Sequence, residues 1–171
     1  PHSTCILVDG GTDEEVARVI YNKRTPGTKQ FIEPTTTGVE IEIASERYPS
    51  SRKQLIKFAR PKYIDVKLNV KIKDDGSLPA NVSDSIIESI MEFTNSYFMQ
   101  DCGDGFKRNG FEIGENVPIN SLTPPINRVL GQYGNAYIES ITIEGASEGL
   151  LTITPFELTR WTSSNMTVEV V

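Results

Sequence analysis

Histidine is almost missing from this 171-residue chain: His2 stands alone. A Ser-His-Asp or Cys-His catalytic arrangement would have to use that one imidazole, and it sits at a terminus, where chains fray. Cysteine is scarce as well. Cys5 and Cys102 are the only two, too few for a disulfide framework, and they read as reduced thiols in a cytoplasmic protein. With His2 they make three Cys and His residues in all, whereas structural zinc sites take four such ligands. No apolar run approaches the roughly 18 residues of a membrane span, and no secretory-signal pattern opens the chain. The sequence therefore leads one to expect no metal site and no membrane insertion.

Basic charge is also in short supply. There are 17 Lys and Arg against 23 Asp and Glu, a net charge of −6. Nucleic-acid binding needs clustered cations to meet phosphates, so nucleic acid is not an expected partner. The charge is uneven: residues 1–61 hold nine basic and eight acidic side chains, net +1, and residues 62–171 hold eight and fifteen, net −7. That asymmetry would let one half of a molecule face the other half of a neighbour. A solvated acidic surface accounts for it as simply.

Hydrophobic residues make up 37% and charged residues 23%, which is enough for a packed core and argues against wholesale disorder. The length fits one domain or two small ones. Residues 5–8, Cys-Ile-Leu-Val, form a short apolar run of the kind that makes a buried strand. Gly10 and Gly11 break it. Thr12 then opens a capping box with Glu15, and acids in that first turn suit the positive end of a helix dipole. Val16, Ala17, Val19 and Ile20 supply the apolar stripe of a helix ending near Arg24, stopped by Pro26 and Gly27. Val39, Ile41 and Ile43 alternate with Glu40 and Glu42, as in a half-buried strand. Residues 48–51 turn the chain, and residues 54–59 return as the second arm of a hairpin with Ile56 and Phe58 on one face. Arg60 and Pro61 end that unit.

Beyond this boundary Ile64, Val66, Leu68, Val70 and Ile72 alternate with polar residues in one long strand, one face in and one wet. Asp74-Asp75-Gly76 closes it. Ser83 is placed to cap a helix whose inner face is Ile86, Ile87, Ile90, Met91, Tyr97 and Phe98. Residues 101–110 read as a polar loop. Thr123-Pro124-Pro125 suits the first turn of a short helix with Ile126, Val129 and Leu130 inward, ended by Gly131. Residues 137–144, 150–154 and 166–171 read as strands. The expected class is α+β in two small units, 1–61 and 62–171. The first is a strand, a capped helix and a hairpin; the second is an antiparallel or mixed sheet with helices on one face.

Several motifs invite a chemical reading. A strand, a glycine pair and a helix start could cradle a phosphate, but Gly10-Gly11-Thr12-Asp13-Glu14-Glu15 lacks a third glycine and a P-loop lysine. It also sets three carboxylates where a pyrophosphate would lie. The corner is structural on this reading. Asp101-Cys102-Gly103-Asp104-Gly105 misses the calcium-loop spacing and the closing glutamate, so it reads as a solvated turn. Paired-carboxylate hydrolysis stays open, although most acids fall in strands, turns or caps. Arg160 and Trp161 make either an exposed contact pair or a lid over one end of the core.

The order of these pieces resembles the Baseplate J-like family of contractile-tail phages and related injection machines. The matching stretches are "VDGGTDEEVARVI", "RTPGTK", "TTTGVEIEI" and "IKFARPKYIDVKLNVKIK", the last with Phe-x-Arg-Pro ahead of the long strand. Further on comes "IGENVPINSLTPPINRVLGQYGNAYIESITI". The likeness covers most of the chain. It departs after Gly131, where Gln132 stands in place of a valine or similar residue. Full-length members are longer at the N-terminus, so the resemblance implies that this chain would be a C-terminal portion of such a protein. The resemblance implies a structural part of the tail baseplate of a phage or prophage, assembled in the bacterial host cytoplasm and ending up in the virion. It implies a wedge component in a ring around the hub, pairing with itself as a dimer within the ring and touching other wedge or hub proteins. It carries over no catalytic residue and no cofactor, and the chain is not expected to be an enzyme.

Three residues are expected to make contacts. Arg60 would anchor the joint between units through a bidentate bond to a carboxylate, Phe58 would pack beneath it, and Trp161 would face a neighbour. Two other functions compete: a small hydrolase using paired carboxylates, and a secreted carbohydrate-binding or adhesin module with exposed aromatics.

Overall fold

The computed structural model describes residues 3–25, 27–44, 53–74, 76, 78–95 and 110–171. His2, Cys102, the turn expected at residues 48–51, the apolar positions Tyr97 and Phe98 and the stretch 101–105 lie outside them. The chain divides into two compact units, Pro1–Lys62 and Tyr63–Val171. Each mixes helix with strand, and the protein is α+β.

The first unit contains β1 (Ser3–Thr4), α1 (Asp13–Lys23), β2 (Lys29–Gln30), β3 (Thr37–Ala44) and β4 (Lys53–Arg60). The capping box forms in full: Thr12 Oγ1 accepts the Glu15 N–H at 3.4 Å, and Glu15 Oε2 accepts the Thr12 N–H at 3.3 Å. Two of the helix's orphan donors are thereby satisfied. β3 and β4 pair antiparallel, with Val39 opposite Phe58 and Ile41 opposite Ile56. That register turns the apolar positions of both strands to one face. Ala17 and Ile20 of α1 close over Ile56 and Phe58, with Val16, Tyr21, Val39, Ile41 and Ile43 around them. The opposite face of the hairpin pairs Glu40 with Lys57 and Glu42 with Lys53.

Val19 is not part of the buried stripe; it is 55% exposed. At 3.6 residues per turn it points about 160° away from Ala17, whereas Tyr21 lies about 40° from it and takes its place in the cluster. The apolar run at residues 5–8 is also shorter as a strand than expected. Leu7 makes a single parallel bridge to Ala59, and Ala59 exchanges bonds with Ile6 O (2.9 Å) and Val8 N (3.0 Å). The strand proper is β1, which pairs in parallel with β2. A side chain takes over along β4: Gln30 Oε1 accepts the Lys57 N–H at 3.0 Å. This serves the donor that a longer first strand would have served.

The second unit is built on β6 (Leu68–Lys73), which lies between β11 (Met166–Val170), parallel to it, and β8 (Tyr137–Ile143), antiparallel. The sheet is therefore mixed. Leu68, Val70 and Ile72 are buried while Asn69, Lys71 and Lys73 are exposed, so one face is dry. α2 (Val82–Asn95) and α3 (Thr123–Leu130) supply the cover: Ile86, Ile90, Ile126 and Leu130 join β6 in one core cluster. Two short pairs complete the unit, β5 (Lys62–Asp65) with β10 (Glu157–Arg160) and β7 (Val117–Pro118) with β9 (Leu150–Leu151).

The single long strand expected from Ile64 to Ile72 is two strands. The inward alternation runs straight through Val66 and Leu68, each 1% exposed, but the partners change. Val66 N–H donates to Arg160 O at 3.1 Å and Glu144 N–H to Lys67 O at 3.0 Å, so the chain passes from one neighbour to another at that point. Ser83 is inside α2, not at its cap, and its hydroxyl donates to Val168 O on β11 at 3.3 Å. The strand expected over residues 150–154 stops at Leu151, because the Ile153 N–H is taken by Asn116 Oδ1 at 2.8 Å. β10 is a strand that alternation did not reveal.

Candidate functional site at the double-glycine corner

Gly10 and Gly11 have φ of 75° and 70°. Two successive left-handed residues are cheap only for glycine. They swing the chain from the bridge at Leu7 into the cap of α1 and leave carbonyl oxygens facing one point. β4 sends Arg60 to that point. Phe58 and Arg60 are two residues apart on one strand, so they share a face. The guanidinium lies over the Phe58 ring, 5.3 Å from its centroid, and Phe58 is fully buried beneath it.

Arg60 Nη1 donates to Val8 O at 3.1 Å and Gly10 O at 2.6 Å. Nη2 donates to Gly11 O at 2.9 Å and to Asp13 Oδ1 at 2.7 Å. The Arg60 side chain is 17% exposed. Charge-assisted bonds are stronger than neutral ones, and a rigid fork can span several acceptors. The corner is thus an oxygen-lined seat already filled by a cation of the same chain. A phosphate needs the opposite, converging N–H donors and no acids, and this corner runs into Asp13, Glu14 and Glu15 of α1.

The expected contact residues fare differently. Arg60 does meet a carboxylate, but through one nitrogen–oxygen pair and not two, because three of its other donors go to carbonyls. Those partners all belong to the first unit, so the bonds that hold Arg60 lock a corner within that unit. Phe58 is core as well as support. Trp161 is 3% exposed, stacked on Phe111 at 5.7 Å and 22°, with Nε1 donating to Thr159 Oγ1 at 3.0 Å. It closes the second core and does not offer a surface contact.

Arg160 goes the other way. Strand alternation turns it outward, where it grips Asp65 with two bonds, Nε to Oδ1 at 2.6 Å and Nη2 to Oδ2 at 3.0 Å. Its guanidinium also sits 5.8 Å from the Tyr63 ring centroid. The Arg160 bonds hold the Asp65 carboxyl below its usual range, and Asp65 raises the arginine in turn. The sequence singled out Arg160 but gave no sign of Asp65, which is 95 positions away. A shallow cleft of about 390 Å³ between α2 and α3 holds Ser85, Glu88, Ser89, Glu92, Arg128 and Gln132. Arg128 bonds Glu92 across it at 3.4 Å, and Ser89 donates to Pro125 O at 2.8 Å.

Among the described residues no group of three His, Cys, Asp or Glu is placed to hold a metal ion. Nor is any helix among them long and apolar enough to cross a membrane. Comparison of the sequence with models of protein families gave no match, and neither did a search of curated proteins. Fold and corner together define a class only: a two-unit α+β chain with a glycine corner locked by arginine.

Proposed function

We propose that the chain is a structural component of a contractile-tail baseplate in a phage or prophage, a wedge piece assembled around the hub. It works by burying surface against copies of itself and against other wedge or hub proteins, in the host cytoplasm first and in the virion tail afterwards. It performs no bond-making chemistry and carries no cofactor.

The observation that carries this reading is the meeting of two stretches 50 residues apart in the sequence. "VDGGTDEE" and "FARP" are both parts of the resemblance, and Arg60 of the second locks Gly10 and Gly11 of the first. A motif pair spent on holding a corner suits a load-carrying part better than a ligand site. The later stretch of the resemblance lies on α3 and β8, helix and edge strand of the mixed sheet. An edge strand is a natural place for assembly contacts.

Light scattering on the purified chain over rising concentration, together with co-purification against wedge and hub proteins of a contractile tail, tests the reading. Concentration-dependent association, or capture by one of those proteins, is the expected result. A monodisperse monomer at every concentration, indifferent to all tail proteins offered, overturns it.

A further inference from the structure

We draw no further inference here: the strongest candidate, the outer edge of β8 beside the exposed Tyr137 in the mixed sheet of the second unit, carries nothing because nothing in the structure shows what covers it.

Discussion

Arg60 makes three of its four hydrogen bonds to backbone carbonyls, and that choice of partners sets the consequences of changing it. Lysine keeps the charge but places it at one point, so it cannot reach carbonyls spread along residues 8 to 11. Arg60→Lys should lower stability by about 2 kcal/mol, since hydrogen bonds to charged groups are each worth about 1.5–3 kcal/mol. A urea midpoint for the full chain measures this, and an unchanged midpoint would show that the lock is idle. The glycines differ from each other. A methyl group at Gly10 meets nothing within 4 Å, whereas at Gly11 it meets Val16 Cγ2 at 3.2 Å. Both substitutions bear the left-handed penalty of about 1–2 kcal/mol, and Gly11→Ala should cost more than Gly10→Ala. The reverse order in thermal melts would contradict this geometry.

At the scale of elements, the pairing of β5 with β10 is clasped from outside by Asp65 and Arg160. The Asp65 carboxyl is held below its usual value by the arginine's bonds. The folded value lies under the unfolded one. The clasp is therefore complete above the unfolded value and is lost as pH falls through the lower, folded one. Carboxyl titration followed by NMR should place Asp65 below ordinary aspartates. Arg160→Met should return it toward the normal range, and a titration the same in both proteins would rule the clasp out as the cause. The same scale explains why strand limits were hard to read. Residues 64–72 keep one alternating pattern across two strands, because burial follows the side chains while strand identity follows the partners.

For the molecule as a whole, two cores have to form, one around Phe58 and one around β6. The only tryptophan, Trp161, lies in the second. Its emission should be blue-shifted and poorly quenched by acrylamide in the native protein, and red-shifted on unfolding. Trp161→Ala should cost about 3–5 kcal/mol, the usual range for removing a buried aromatic of this size, whereas Trp161→Phe should cost less because the stack on Phe111 survives. Strong quenching in the native state would place the indole at the surface instead. On this scale, too, the division into a balanced first part and an acidic second part matters. With Lys62 counted in the first unit, its sum becomes ten basic against eight acidic, +2, and that of the second seven against fifteen, −8.

Local chemistry was legible in the amino-acid order. The capping box at Thr12, the hairpin face of Ile56 and Phe58, the inward row of β6 and the proline start of α3 all follow from periodicities and steric rules that act within a few residues. The α+β class follows from the same signals. What only the tertiary structure decided depends on groups far apart in the chain. Arg60 meets the glycine corner across about 50 residues, and Arg160 meets Asp65 across 95. Gln30 stands in for a strand along β4, and Trp161 turns inward while its neighbour Arg160 turns out. No local pattern encodes such partners, because an arginine on a strand looks the same whether it faces water, a carboxylate or a row of carbonyls until folding brings one of them within reach.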